Sequence, residues 1–259
     1  KEMDVAYNIE VPTPYLLENY KLDSDSLKIF KEIGNNLENS PIEKGMRFDL
    51  AALKLERERI DANLKSKGYY NFNPGFLIFE ADTNQYEHKN FDLFLRLKKD
   101  VPTESIIPYK LKSVNIYPKY EVGTDSTTAK TRYAEKNFFQ KEIFFKPKHL
   151  DPYILLEEGQ YYNPENSRNT ARRLGDIGAY KFVNINYTEI DSLSTDSLGV
   201  LETNIYLSPL NKRSLRAEIQ AVTKSNGFTG PSLALGYTNR NLFKGGEILN
   251  VTGDFGYEV

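Results

Sequence analysis

From Leu215 onward, apolar and polar residues alternate in step. Leu215, Ala217, Ile219 and Ala221 fall on one face of an extended chain, with Arg216, Glu218 and Gln220 on the other. Leu233, Leu235 and Tyr237 alternate with Ser232, Ala234 and Gly236, and Leu249, Val251, Phe255 and Tyr257 with Asn250, Thr252, Asp254 and Glu258. A period of two is the signature of a strand. Ser225-Asn226-Gly227 and Lys244-Gly245-Gly246 supply the intervening turns. Three strands of about nine to eleven residues, with no helix-period segment to cover their apolar faces, have the length and patterning of membrane-spanning β-strands. The alternative is an amphipathic sheet packed on a water-soluble core.

Before about Asn211 the pattern is mixed and it repeats. Pro14 to Leu22 matches Pro108 to Ile116 at an offset of 94, Gly45 to Asp49 matches Gly159 to Asn163 at 114, and Leu64 to Gly68 matches Leu174 to Gly178 at 110. The jump from 94 to 114 predicts an insertion of about 20 residues between Pro118 and Phe145, with Gly123 to Thr128 as a polar loop. The drop to 110 removes four residues within a helix, close to one 3.6-residue turn, so the buried face is kept.

Each repeat then reads strand, helix, helix, strand, strand. In the first, Asp23 to Ser26 precede a helix from Leu27 to Ile33 as a candidate cap. Asp49 caps a longer helix to about Lys67, with Leu53, Ile60 and Leu64 on one stripe and Gly68 after its end. Strands follow at Phe76 to Glu80 and Phe91 to Leu97. In the second, a short helix is predicted over Leu150 to Glu157 and a longer one from Pro164 to about Leu174, then strands at Phe182 to Ile190 and Leu201 to Leu207. Residues 1–11 parallel the closing strand of another copy, and an opening at Lys1 reads as a piece cut from a longer array.

Composition narrows the chemistry. Among 259 residues, 34 Lys and Arg balance 36 Asp and Glu, which argues against a nucleic-acid partner. Zero cysteines exclude disulfides, thiolate metal sites and a Cys nucleophile, and the two histidines, His88 and His149, have no metal-ligand spacing. No catalytic or metal set is expected. The longest purely apolar runs, such as Phe76 to Phe79, fall far short of a spanning helix.

Two strand-helix-helix-strand-strand units followed by Asn239-Arg240-Asn241-Leu242-Phe243-Lys244-Gly245-Gly246-Glu247 resemble the BamA/TamA family of outer-membrane assembly proteins. Gly159-Gln160-Tyr161-Tyr162-Asn163 and Leu174-Gly175-Asp176-Ile177-Gly178 are similar to the last of that family's periplasmic POTRA domains. The match is looser to BamA proper than to a TamA-like or divergent member of the kind found in Bacteroidetes, because the first repeat lacks a clear Gly-Asn after its opening strand.

The implied fold is α+β: tandem POTRA domains, each with helices on one face of a three-stranded sheet, then the first strands of a transmembrane β-barrel. Residues 1–11 end one POTRA domain, 12–100 form the next, 101–211 the last with its insertion near 118–145, and 212–259 open the barrel. Alone, about three strands cannot close a barrel, so that tail is expected to be disordered or to borrow pairing from a neighbour.

The resemblance implies an assembly factor without cofactor or nucleotide, residing in a bacterial outer membrane with residues 1–211 in the periplasm. Its partners would be unfolded outer-membrane or surface proteins, accessory periplasmic proteins or lipoproteins, and outer-membrane lipid. Two sheet edges are candidates for lending pairing to a substrate strand: Phe76, Leu77, Ile78 and Phe79 in the exposed middle strand of the first repeat, and Leu215, Ala217, Ile219 and Ala221 in the first barrel strand. Core packing and barrel closure are their structural alternatives. A two-partner-secretion transporter and a scaffold for accessory proteins are the competing functions. Asp25-Ser26-Leu27, Asp191-Ser192-Leu193 and Asp196-Ser197-Leu198 resemble Bacteroidetes O-glycosylation sites, though turns demand the same residues. The lysine-rich stretch Lys141 to Lys148 reads as a surface loop.

Overall fold

The computed structural model describes residues 11–86, 89–121, 129–191, 194–195, 197–223 and 229–257. Residues 1–10, His88, the Gly123 to Thr128 loop, Ser192, Leu193, Asp196 and the Ser225-Asn226-Gly227 turn lie outside the described residues. The chain divides into two units, one up to Pro108 and one from Tyr109 onward.

In the first unit the elements run β1 (Leu16–Leu22), α1 (Lys28–Leu37), α2 (Leu50–Ser66), β2 (Leu77–Asp82) and β3 (Asn90–Leu97). The sheet order is β1-β3-β2, with β3 parallel to β1 and antiparallel to β2. Ile29 and Ile33 of α1 and Ile60 and Leu64 of α2 pack on Leu77 and Leu95, burying the apolar stripe of each helix against one sheet face. Asp49 caps α2 as predicted, its carboxylate accepting from the Ala51 and Ala52 amides. The α1 cap is different. Leu27 occupies that position with no side-chain bond, and Asp25 turns its carboxylate onto Ser26 instead. Phe76 belongs to a 3-10 turn rather than to β2, because Pro74 and the Asn73 side chain close that turn first. The α2 stripe also carries Glu56, fully buried and held by Ser40 and by both Nε and a terminal nitrogen of Arg59. Such a carboxylate is tolerated only with this many donors.

The second unit opens with β4 (Tyr109–Tyr117), β5 (Lys130–Tyr133), β6 (Lys136–Phe139), α3 (Pro147–Leu150), α4 (Pro164–Asp176), β7 (Tyr180–Glu189) and β8 (Gly199–Pro209). Its sheet has five strands, ordered β5-β6-β4-β8-β7, where three were expected. The insertion accounts for the difference. β5 and β6 form a hairpin turning at Ala134 and Glu135, both at positive φ, and β6 lies parallel to β4 through Asn115↔Asn137 and Ile116↔Phe138. Successive side chains of β6 point to opposite faces, so Phe138 joins the core while Asn137 faces the other side. There Asn137 donates to Asn115 at 2.9 Å and Asn115 to Asn204 at 3.1 Å, an amide ladder across three strands. The predicted helix over Leu150 to Glu157 starts and ends earlier, as α3 and a 3-10 turn at Asp151–Tyr153.

The two units repeat in backbone detail. The Gly45 amide donates to Leu17 O and Leu17 N to Met46 O; the Gly159 amide donates to Leu111 O and Leu111 N to Gln160 O. Gly45 and Gly159 take φ of 86° and 85°, and each first strand shifts register at one point, Leu17/Asn19 and Leu111/Ser113. Asp49 and Asn163 cap the following helices.

Past residue 211 come β9 (Arg213–Thr223), β10 (Thr229–Arg240) and β11 (Ile248–Gly256). They form an ordered antiparallel sheet, β11-β10-β9, where disorder or borrowed pairing was expected. Each neighbour pair is joined by nine or more register positions. Leu233 opposes Ile219 and Phe255, and Tyr237 opposes Leu215 and Val251, so the alternating apolar residues meet on one face. That face is exposed: Leu215 by 78%, Ile219 by 84% and Phe255 by 63%.

Gly199 in β8 lies opposite Tyr109, where an added Cβ would stand 2.2 Å from Cε1 of the buried ring. Gly199→Ala is therefore expected to destabilise the second unit by about 1–3 kcal/mol. Hydrogen exchange of β4 and β8 amides checks it, and unchanged protection would contradict the packing described.

Candidate functional site

The residues singled out before Gly-Gly-Glu converge on the turn between β10 and β11. Asn239 closes β10 opposite Arg213, and the Arg240 amide donates to Lys212 O at 2.7 Å. Asn241 then takes φ 58°, a left-handed conformation that Asn adopts more readily than most residues. Its side chain is 2% exposed. Nδ2 donates to Phe144 O at 2.7 Å, and Oδ1 accepts from the Gly246 amide at 3.0 Å. The Lys146 amide donates to Lys244 O at 2.8 Å. Through these bonds the turn is held to the loop that follows β6.

Close approach makes Gly246 necessary. With φ at 93°, a Cβ there would come within 3.0 Å of Ile177 and 3.2 Å of Phe145. Phe145 is completely buried and stacks on Tyr180 at 6.1 Å between centroids. Gln140 shapes the receiving loop: its Oε1 accepts from the Phe144 and Phe145 amides, and its Nε2 donates to Phe145 O. Leu242 is half-buried, while Phe243 and Lys244 point outward. The Glu247 carboxylate folds back onto the turn, accepting from the Phe243 and Gly245 amides at 3.2 and 3.1 Å. Hydrogen bonding from its own amide, and then from those of Gly245 and Phe243, outweighs desolvation and holds its pKa below the usual 4.5. His149 adds a smaller favourable charge.

The motif residues were visible in the sequence, but their receptor was not. Gln140, Phe144, Phe145 and Ile177 sit in a stretch read as a surface loop and at the end of a helix. The adjacent Phe144-Phe145 pair was the one signal that part of this loop is core.

The two candidate edges have definite geometry. Among the described residues β9 pairs only with β10. The Arg240 to Lys212 bond sets the parity of that ladder, so Leu215, Ala217, Ile219 and Ala221 aim their backbone N–H and C=O groups away from β10. Among the described residues β2 is the edge of its sheet, paired with β3 alone; it is the middle strand in sequence only. The Lys98 amide bonded to Phe76 O gives the parity there, leaving Leu77, Phe79 and Ala81 facing outward. Arg57 already occupies Leu77 O. The side chains divide differently: Leu77 is fully buried, Phe76 and Phe79 half-buried, and Ile78 exposed. Beside this edge a groove of about 400 Å³ is lined by Phe48, Leu50, Lys54, Arg57, Ile78 and Phe79.

No protein-family model matches the chain, and no curated protein matches it in sequence. Solved structures do. BamA from Haemophilus ducreyi lacking POTRA domains 1-3 aligns with 93% of this chain at a TM-score of 0.58 and 14% identity. The chain spans 37% of that structure. POTRA domains 3-5 of BamA from Haemophilus influenzae match at TM-score 0.38 and 15% identity, over 75% of this chain and 61% of that one. CdiB from Acinetobacter baumannii matches at 0.39 and 11%, over 96% and 39%. The first match establishes the fold: POTRA-type α+β units leading into barrel-type strands.

Asn241→Ala would strand the Phe144 carbonyl and the Gly246 amide, weakening the docked turn by about 1–3 kcal/mol. Faster exchange of the Gly246 and Lys146 amides is the expected readout. Glu247 adds a pH dependence with a defined sign. A carboxylate with a depressed folded pKa contributes stability above its unfolded value and loses it as pH falls through the folded one. Protection of the Phe243 and Gly245 amides should hold near neutral pH and fall below about pH 4, and Glu247→Gln should flatten that fall.

Proposed function

We propose that this chain is part of a BamA/TamA-type outer-membrane assembly factor. Residues 12–100 and 101–211 are its POTRA domains in the periplasm, and 212–259 are the first strands of its barrel. It receives unfolded outer-membrane or surface proteins by β-augmentation and passes them toward the membrane, with accessory periplasmic proteins or lipoproteins as helpers. The observation carrying this reading is the exposed apolar face of β9 to β11, on strands of 9 to 12 residues, ending at an unpaired edge. Strands of that length suit the hydrocarbon thickness of a bilayer. An apolar face this exposed marks a surface that functions against lipid or another protein.

The chemistry such a factor must supply is backbone pairing. A strand entering lipid with free N–H and C=O groups is penalised by several kcal/mol per group, so a helper lends it an edge. Main-chain bonds give that contact affinity with little sequence demand. Edge β2, with outward groups on Phe79 and Ala81 and the groove beside Ile78, supports a first capture point in the periplasm. Edge β9 supports a second, at the membrane.

Depleting the protein from its host should lower the outer-membrane content of many other β-barrel proteins. Unchanged levels of all of them would refute the assembly reading, and loss of a single exported partner would favour the secretion transporter. For the β2 edge, Ala81→Pro removes an outward N–H without touching the ladder to β3. It should weaken crosslinking of an unfolded barrel protein to a photoreactive residue at position 78 by about fivefold, at unchanged thermal stability. Glu80→Pro, which breaks the ladder, should instead lower stability.

A further inference from the structure

The docked turn gathers cations at one end of the β9 to β11 sheet. Lys141 and Lys146 come from the loop after β6, Lys148 from α3, Lys244 from the turn itself, and Lys212 and Arg213 from the start of β9. Their common location follows from bonds already described. Lys146 and Phe144 are joined to the turn, and Lys212 O takes the Arg240 amide one residue before it. None of these six makes an ion pair among the described residues. Two carboxylates lie on the same segments, Glu142 and Glu247, and a third, Asp176, ends α4 beside Ile177. Glu247 is already engaged by backbone amides. Interleaved with the cations, Ile143 and Phe243 are exposed by 54% and 66%.

We infer that this end of the sheet rests on the anionic headgroups of a lipid bilayer. The inference rests on the reading of β9 to β11 as membrane strands, and it adds a lipid-binding surface on the last POTRA domain. Charge complementarity selects the occupant. Six cations with no ion pair among the described residues face a surface whose phosphates are negative, and each Lys or Arg near such a surface adds to the attraction. The apolar members fit the same occupant. Phe243 belongs to the β10–β11 turn, and Ile143 precedes Phe144, whose carbonyl takes the Asn241 side-chain amide. Both therefore lie at the end of the sheet where the exposed apolar positions Leu215 and Leu249 begin, and would reach the boundary between headgroup and acyl chain. An acidic protein surface would satisfy the lysines but leave that continuity with the strand face without use. Docking also has a structural role: the loop is clamped to the turn, so headgroups that hold one hold the other.

The 259-residue chain would be mixed with vesicles of phosphatidylcholine alone and of phosphatidylcholine doped with phosphatidylglycerol, at low and high salt, and the bound fraction measured by co-sedimentation. Binding to neutral vesicles reports the strands. The increment from phosphatidylglycerol, lost at high salt, reports the cationic surface. The quadruple variant K141Q/K146Q/K148Q/K244Q should lose at least about tenfold of that increment while keeping its binding to neutral vesicles. Lys31, Lys98, Lys99 and Lys112, also exposed, provide a control of equal charge when changed together to Gln. An increment that survives in the first variant, or falls equally in the control, overturns the proposal. Absent binding to neutral vesicles with an intact increment would instead remove the membrane-strand reading and leave the headgroup surface standing.

Discussion

The constraint on which this structure turns is the outer edge of β9, which among the described residues pairs only with β10. In a strand, both the side chain's face and the direction of its backbone groups alternate with period two, so the two properties are locked in phase. Here the phase puts apolar side chains and unpaired N–H and C=O groups on the same residues, Leu215, Ala217, Ile219 and Ala221. Water would satisfy the backbone but not the side chains, and hydrocarbon would do the reverse. Only another strand in an apolar setting satisfies both. The closing strand of a barrel is one such partner and, under the proposed function, a substrate strand is another.

The repeated units were legible in the sequence because they depend on residues with few substitutes. Gly45 and Gly159 hold positive φ at a point where the backbone also bonds the first strand, and Asp49 and Asn163 cap the next helix. Such positions tolerate few residue types, so they surface as matches even when the surrounding identity is weak. The alternation in β9 to β11 was equally plain, since one face must stay apolar. Other features left weaker traces. Glu56 reads as a solvent-facing helix charge until Ser40 and Arg59 are seen around it. The hairpin of β5 and β6 has strands of only four residues, too short for a period to register. Its pairing with β4 is set by long-range packing of Phe138 and by the Asn115-Asn137 contact, neither of which has a local signal.

That hairpin changes what the second unit can offer. In the first unit β1 and β2 are both outer strands of a three-stranded sheet. In the second, β6 covers β4, so the strand equivalent to β1 has no open side and β7 and β5 are the outer strands. A sheet edge is a liability unless it is used or covered. The two repeats therefore diverge in which sheet edges they leave open among the described residues, although they share the β1-type strand, the glycine turn and the capped helix. The loop that follows the hairpin supplies Gln140, Phe144 and Phe145, so the same insertion that closes the edge also builds the receptor for the β10–β11 turn.

This receptor anchors the sheet of β9 to β11 at one end. A three-stranded sheet with one exposed apolar face is marginal alone. Here its central hairpin is fixed at one end by the Asn241 amide, by the Lys146 to Lys244 bond and by Gly246 lying against Phe145 and Ile177. Anchoring one end lowers the entropy that the remaining ladder must overcome. The clamp grips β10 and β11 at their turn, whereas β9, like β11 an outer strand among the described residues, depends on β10 for its ladder. Of the three strands, β9 is thus the one joined to the anchored pair only through its ladder and the Arg240 to Lys212 bond.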